Sequence, residues 1–193
     1  MPIEADFLQS FDLPDAVAAL PKLGFFPGST IGNMGPYAAC DLLRTMRERL
    51  GAGAMLLIGL DRIKSADVLE RAYDDAAGVT AAFNLNLLAR INRELGGDLP
   101  LDAFAHEARW NDAESRIEMH LTARRDLVFA VAGERFAMAR GETIHTENSH
   151  KYGPRDTRML LAAGGWSVIS EGIDPDGLFA VVLAEAQEPA WAP

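Results

Sequence analysis

The residues best suited to chemistry form a glycine-containing loop, Phe25–Asn33. Gly28 and Gly32 lack a Cβ, so a ligand or another stretch of backbone can approach the loop closely. A short apolar strand over 23–26 precedes the loop, and ligands of open α/β sheets bind beyond the carboxyl ends of the strands. We therefore predict the active site here. The alternative is a tight strand-to-helix turn that binds nothing.

A second candidate lies near the N-terminus, where Asp6 precedes Phe7. An aspartate can accept a hydrogen bond from the amino group of adenine, and a phenylalanine ring can pack on the base. The pair could therefore bind a cofactor that contains adenine. Two residues make a short pattern, and an ordinary loop is the alternative.

Histidines near carboxylates raise the question of a metal site. The four histidines are His106, His120, His145 and His150. Their spacing does not match the ligand spacing of zinc sites, and a single cysteine, Cys40, excludes a cysteine-rich zinc site and a disulfide framework. We predict no metal, and we expect Cys40 to pack on the apolar side of a helix.

Charge and composition exclude several classes of partner. The chain has 193 residues, a formal net charge of −10 and 49% hydrophobic residues. An acidic chain is repelled by the phosphates of nucleic acids and by anionic membranes, and this apolar content can form a buried core. We find no signal peptide and no apolar run of ~18 residues. We therefore expect a cytoplasmic protein that binds neither nucleic acid nor membrane.

The elements around the loop form a strand–helix–strand unit over 23–60. Pro36 suits the first residue of a helix, and apolar residues recur at helical spacing as far as Leu50. Glycines end that helix. The run Ala54–Leu60 is continuously apolar, which is typical of a strand buried on both faces of a parallel sheet.

The pattern changes after Asp61. Ser65 and Thr80 are suited to cap two helices, the second of which ends at Gly96 and Gly97. Alternating segments follow, and we predict strands at 105–111, 116–123, 127–132 and 135–139. Helices followed by an antiparallel sheet indicate an inserted α+β domain.

The C-terminal part returns to the first pattern. Pro154 begins a predicted helix, and two strands, 166–173 and 178–185, are joined by the turn sequence Asp174–Gly177. We therefore divide the chain into a core of residues 1–62 and 146–187, an insertion of residues 63–145, and a tail of residues 188–193.

The predicted core looks like the second half of a nucleotide-binding α/β sheet. It contains no G-x-G-x-x-G fingerprint, and the residues before 20 cannot hold two βα units of about 30 residues each. The strand at 23–26 should therefore leave one edge of the sheet unpaired. Such an edge favours self-association.

Five blocks of the chain carry a resemblance to a known family: Phe25–Asn33, Ala72–Asn84, Asn92–Gly96, Arg116–Leu121 and Glu142–Tyr152. They resemble the L-histidine Nα-methyltransferases of ergothioneine biosynthesis, and the resemblance covers nearly the whole chain. It implies an α/β fold: the C-terminal half of a class I S-adenosylmethionine methyltransferase (Rossmann-like) sheet, with an inserted α+β substrate-binding domain. It also implies S-adenosyl-L-methionine as cofactor and L-histidine as the small-molecule substrate, trimethylated on its α-amino group to hercynine.

The resemblance implies roles for individual residues. Asn33 matches the asparagine that contacts the amino-acid end of histidine, Tyr73 matches a tyrosine that binds the carboxylate, and Gly28 matches a backbone contact in the same site. Glu147 and Ser149 match the pair that holds the imidazole ring. An acid and a hydroxyl would reject side chains that lack two correctly placed ring nitrogens.

The cofactor match is shorter, because Asp6 and Phe7 are the residues that resemble the family's adenine contacts. The family's N-terminal part, which supplies further substrate tyrosines, the Gly-rich cofactor loop and the ribose-binding acid, has no counterpart in this chain. The alternative is therefore a truncated, catalytically incompetent fragment that binds histidine or self-associates.

Methyl transfer from a sulfonium to a neutral amine is an in-line displacement that depends on positioning, so we predict no catalytic acid or base. Each residue above also has an ordinary alternative. Asn33 could cap a helix, Tyr73 could lie on the surface at a helix end, and Glu147 could be a solvated acid. Asp61 and Lys64 are predicted to form a polar cluster at the strand end, without a catalytic role.

Overall fold

The computed structural model describes residues 2–7 and 13–188. The helices are α1 (Asp15–Ala18), α2 (Pro36–Leu50), α3 (Ala66–Tyr73), α4 (Val79–Leu95) and α5 (Pro154–Ala163). The strands are β1 (Leu23–Phe26), β2 (Met55–Asp61), β3 (Phe104–Asn111), β4 (Arg116–Ala123), β5 (Leu127–Val131), β6 (Glu134–Met138), β7 (Thr143–His150), β8 (Trp166–Ile173) and β9 (Phe179–Ala186). None of these helices is both long and apolar enough to cross a lipid bilayer.

Contacts divide the chain into two units. The first unit comprises residues 1–63 and 150–193, and the second comprises residues 64–149. The predicted tail, 188–193, lies outside the described residues apart from Glu188.

The first unit contains a four-stranded sheet with the order β1-β2-β9-β8. β1 and β2 are parallel, whereas β9 is antiparallel to both β2 and β8. β2 lies inside the sheet, and its side chains Leu56, Ile58 and Leu60 are at most 1% exposed. These three residues share one face of the strand, whereas Met55 and Leu57 on the opposite face are only half-buried. The prediction of a strand buried on both faces of a parallel sheet is therefore wrong in part, because one face is fully buried and the sheet is mixed.

β1 is an edge strand, since β2 is its one partner among the described residues. Leu23 and Phe25 are 59% and 67% exposed. Within the part of the chain that the structure describes, the edge of β1 is thus unpaired and carries exposed apolar side chains. This is the kind of edge that favours association with another strand.

Helices α2 and α5 share a core with this sheet through Leu43, Leu161 and Trp166. The indole N–H of Trp166 donates to the Leu43 carbonyl at 2.9 Å, which satisfies the buried polar atom. Pro36 stands in the first turn of α2, as predicted, and Gly35 is the N-cap. Asn33 instead ends a 3₁₀ turn over Thr30–Asn33, so the suggestion that it caps a helix is wrong.

The second unit contains a three-stranded sheet, β3-β4-β7, and the hairpin β5–β6. Leu88 of α4, Phe104 and Leu121 are buried together at its core. The four strands predicted for this region are present, each within one residue of its predicted ends. Strand β7 was not predicted, and it carries both Glu147 and Ser149.

The start of α4 corrects one prediction. Thr80 is not the cap, because Gly78 occupies that position. The carboxylate of Asp75 accepts the backbone N–H groups of Val79 and Thr80 at 3.1 and 2.9 Å. These hydrogen bonds, first that of Thr80, lower the pKa of Asp75 to about 2.

Candidate functional site

The predicted site residues fall into two groups, one in each unit. The first unit carries Asp6, Phe7, Gly28 and Asn33, and the second carries Tyr73, Glu147 and Ser149. Each group has its own geometry. Their convergence on one amino acid stays a prediction.

Gly28 and Ser29 form the strained part of the loop. Both adopt left-handed conformations, with φ of 72° and 56°, and this costs a non-glycine residue about 1–2 kcal/mol. Ser29 is held there because its Oγ accepts the backbone N–H of Asp61 at 2.9 Å. A Cβ built on Gly28 would meet nothing within 4 Å. The loop is therefore open on this side.

Gly32 is required for a different reason. A Cβ at this position would lie 2.8 Å from the carbonyl oxygen of His150, so the end of β7 approaches the loop too closely for any side chain. The ring Nδ1 of His150 lies 2.9 Å from the Gly32 carbonyl oxygen. A carbonyl can only accept, so Nδ1 carries the hydrogen.

A buried ion pair joins the end of β2 to the residue that follows β7. The side chain of Lys151 is fully buried, and its Nζ lies 2.7 Å from Asp61 Oδ2. The carbonyl of Asp61 accepts the backbone N–H of Tyr152 at 2.9 Å, and burial raises the pKa of the Tyr152 phenol to about 12. Asp61, which the sequence pattern grouped with Lys64, therefore pairs with a lysine that no sequence pattern indicated.

The residues matched to the cofactor lie beside β1. Asp6 and Phe7 are exposed, and the Phe7 ring packs edge-on to Phe26 with centroids 5.7 Å apart. Phe7, Phe25 and Phe26 help to line a mainly apolar recess of about 340 Å³. A recess with aromatic walls suits a flat ring. Asp6 is not among the residues that line it, and the adenine-binding role of Asp6 and Phe7 stays a prediction. Asn33 is exposed at the end of the 3₁₀ turn.

In the second unit the structure brings Tyr73 and Ser149 together. Glu147 and Ser149 share one face of β7 because they are two residues apart in a strand. The phenol oxygen of Tyr73, the last residue of α3, lies 2.8 Å from Ser149 Oγ. Ser149 is 5% exposed and Tyr73 is half-buried. The suggestion that Tyr73 is an ordinary surface residue is therefore wrong.

Glu147 is half-buried and lines a recess of about 240 Å³. The other lining residues are Phe83, Asn84, Asn86, Leu87, Arg90 and Thr146. The recess thus combines a carboxylate, a guanidinium and two amides with apolar walls. Such a lining suits a small ring that carries polar N–H groups.

His106, which the sequence analysis considered only as a metal ligand, makes two hydrogen bonds in this region. Its Nε2 lies 2.7 Å from the Tyr73 carbonyl oxygen, and its Nδ1 lies 2.9 Å from Asn84 Nδ2. Since the carbonyl accepts, Nε2 carries the hydrogen and Nδ1 accepts from the buried amide of Asn84. These bonds position the end of α3, from which Tyr73 projects. No sequence spacing signals them, because the partners are far apart in the chain.

Glu118, His120 and His145 form a cluster whose donor atoms all lie within 4.8 Å of one another. Burial opposes ionisation of Glu118, but hydrogen bonds from Asn111, Arg116 and His120 hold its pKa at about 2. The rings of His120 and His145 are stacked, with centroids 4.7 Å apart and an interplanar angle of 18°. Their in-plane lone pairs therefore lie in nearly parallel planes, and a shared metal ion would require one ring to turn.

Comparison with known proteins identifies the family that the sequence matches. The sequence profile of the family described as "Histidine-specific methyltransferase, SAM-dependent" matches residues 1–186. The histidine N-alpha-methyltransferase of Mycolicibacterium smegmatis is 44% identical over 179 residues, which cover 90% of this chain and 56% of the relative. The enzyme of the same name from Mycobacterium tuberculosis is 44% identical over 165 residues, covering 84% and 51%. The chain thus spans about half the length of these curated relatives.

More distant similarities are found as well. The ergothioneine biosynthesis protein 1 of Schizosaccharomyces pombe is 25% identical over 145 residues, covering 75% of this chain and 19% of that protein. Among solved structures, the CcbJ methyltransferase from Streptomyces caelestis aligns with a TM-score of 0.49 and 13% identity, covering 97% of this chain and 64% of the other.

Proposed function

The chain belongs to the histidine-specific, S-adenosylmethionine-dependent methyltransferase family, and on this premise we propose that it takes part in methyl transfer to the α-amino group of L-histidine. The match of the family profile over residues 1–186 is the observation that supports the proposal most strongly. S-adenosyl-L-methionine is the proposed cofactor. When bound, it supplies the methyl group as an electrophilic sulfonium.

The proposal extends to three successive transfers, which convert histidine to its trimethyl betaine, hercynine, in ergothioneine biosynthesis. The names of two relatives, histidine N-alpha-methyltransferase and ergothioneine biosynthesis protein 1, support this extension. A single site can carry out all three rounds if it holds the amino acid by its carboxylate and ring, because neither group changes as methyl groups are added.

The proposed roles follow from what each side chain can donate and accept. Asn33 has an amide that can accept from the α-amine and donate to the carboxylate. Asp6 and Phe7 would hold the adenine of the cofactor. Because the displacement is in-line, the contribution of the protein lies in holding the nitrogen at the correct distance and angle.

The 2.8 Å hydrogen bond between Tyr73 and Ser149 constrains these roles further. If the Tyr73 phenol donates to the substrate carboxylate, Ser149 must donate its one hydrogen to Tyr73. The carboxylate of Glu147 can only accept, so we propose that it accepts a ring N–H of the bound histidine and that Ser149 meets the other ring nitrogen.

The test uses the protein expressed from its complete gene, incubated with L-histidine and S-adenosylmethionine that carries a deuterated methyl group. Mass spectrometry should detect histidine that has gained three labelled methyl groups. Histamine, which lacks the carboxylate, and phenylalanine, which lacks ring nitrogens, are the controls. Methylation of another amine with none of histidine would reject the substrate assignment.

A second candidate function is binding without turnover, or self-association through β1. The unpaired edge and the 67% exposure of Phe25 favour it. Sedimentation velocity of the 193-residue chain, over a range of concentrations and with and without histidine, would distinguish self-association from binding without turnover. Association that Phe25→Lys abolishes, with no response to histidine, would support self-association. A monomer that binds histidine at every concentration would reject self-association and support binding without turnover.

A further inference from the structure

His150 contains a buried nitrogen that lacks a hydrogen-bond partner. The residue is 7% exposed, and its Nε2 has no partner within the described part of the chain. Because Nδ1 donates to the Gly32 carbonyl at 2.9 Å, a neutral ring presents an unprotonated Nε2 that can only accept. Buried acceptors without partners are rare in folded proteins, and an unsatisfied one suggests a ligand or water that completes the site.

The ring that carries this nitrogen is hydrogen-bonded to the glycine-containing loop. His150 bonds directly to Gly32, and the next residue, Asn33, is the one proposed to contact the amino-acid end of the substrate. The approach of the His150 backbone also explains why position 32 must be glycine. The ring is therefore fixed from two sides, by its Nδ1 hydrogen bond and by close backbone packing, so Nε2 has a defined place beside the loop.

We infer that Nε2 of His150 accepts a hydrogen bond from an N–H of the substrate's α-nitrogen. This inference rests on the proposed function and adds a residue to the substrate site. Histidine and its monomethyl and dimethyl derivatives all carry an N–H when protonated, whereas the trimethyl betaine carries none. His150 therefore favours substrate and intermediates over the finished product, which aids product release.

The experiment compares two ligands, L-histidine and its Nα-trimethyl betaine, by calorimetry on the protein expressed from its complete gene. His150→Asn keeps an amide near the Nδ1 position, where it can donate to the Gly32 carbonyl, and removes the acceptor at Nε2. His150→Gln places an amide near Nε2 and is the matched control. We expect His150→Asn to weaken histidine binding about tenfold or more and to leave betaine binding nearly unchanged, whereas His150→Gln retains most of the preference.

Equal loss of both ligands in His150→Asn would show that the ring only supports the fold, and an unchanged affinity for histidine would equally overturn the inference. Binding of neither ligand by the wild type would reject the proposed function itself. If His150→Asn fails to fold, the ¹⁵N chemical shift of Nε2 in the wild-type protein tests the inference instead. It should move when histidine is added and stay in place with the betaine, and an equal response to both ligands would refute the inference.

Discussion

Replacing Lys151 with methionine tests how much the buried ion pair at the end of β2 stabilises the fold. Methionine fills a similar volume, but the change removes the ammonium 2.7 Å from Asp61 Oδ2. Breaking a buried pair by removing one partner costs about 3–5 kcal/mol, because a charge is left in the interior. The Asp61 side chain is 17% exposed, so water reaches it, and we expect the lower end, about 3 kcal/mol.

The assay is urea unfolding followed by circular dichroism. For a slope of about 1–3 kcal/mol per molar urea, a loss of about 3 kcal/mol lowers the midpoint by about 1 M or more. Asp61→Asn and the variant that combines it with Lys151→Met complete a double-mutant cycle. We expect a coupling free energy of about 1–3 kcal/mol between the two sites. Arg44→Met is the control, since Arg44 pairs with Asp41 at 3.3 Å on the surface and should cost less than about 1 kcal/mol.

Two results would refute this reasoning. One is a Lys151→Met effect no larger than that of Arg44→Met. The other is simple additivity of the Lys151 and Asp61 substitutions, which would show that the buried pair contributes no coupling. In either case the end of β2 would be stabilised by its other hydrogen bonds, such as the one from the backbone N–H of Asp61 to Ser29 Oγ.

Three further predictions concern separate features. Glu147→Gln should weaken binding of L-histidine about tenfold or more and leave binding of S-adenosylhomocysteine unchanged. Calorimetry measures both affinities, with the exposed Glu134→Gln as the control. Equal loss of affinity for both ligands would show that Glu147 does not bind the imidazole ring. The pKa of Glu118 is lowered from 4.5 to about 2, so its ionised form stabilises the fold above pH 4.5 and this stability is lost as the pH falls toward 2. Glu118→Gln should therefore flatten the stability curve in that range, and a curve identical to wild type in urea unfolding would contradict the assignment. Gly32→Ala should lower the thermal midpoint more than Gly28→Ala, because a Cβ at position 32 lies 2.8 Å from a carbonyl oxygen and one at position 28 meets nothing within 4 Å; the reverse order would show that backbone strain outweighs the clash.

Local patterns were sufficient to predict most helices and strands. Pro36 and the glycines after Leu50 marked the ends of α2, and the apolar run Ala54–Leu60 predicted β2, a strand inside the sheet with one face fully buried. The alternation between β3 and β6 likewise predicted the strands of the second unit. In each case the signal lay in neighbouring residues, so no knowledge of distant contacts was needed.

Strand β7 could not be predicted in the same way. Its sequence, Thr143–His150, is polar and lacks an apolar alternation, and it is a strand because it pairs with β4 in the sheet. The burial of Lys151 could not be predicted from the sequence either, because lysines are normally surface residues. Its partner lies 90 positions earlier in the chain, at Asp61. Contacts over such separations are set by the tertiary structure.

The resemblance named the residues of the candidate site but not their supports. Tyr73 and Ser149 were both singled out, yet their mutual hydrogen bond was not predicted. His106, which bonds the Tyr73 carbonyl, was missed because a lone histidine on a strand gives no indication of its partner. Side-chain identity thus predicts which groups are available, and only the fold determines which of them meet.

The different constraints at Gly28 and Gly32 matter for anyone who wishes to evolve the loop toward other amines. At position 32 even the first carbon of a side chain would lie 2.8 Å from a carbonyl oxygen, so substitutions there should lower stability and this codon is best left unchanged. Thr30 and Asn33 are exposed, and a library restricted to these two codons would sample new shapes while the scaffold stays intact.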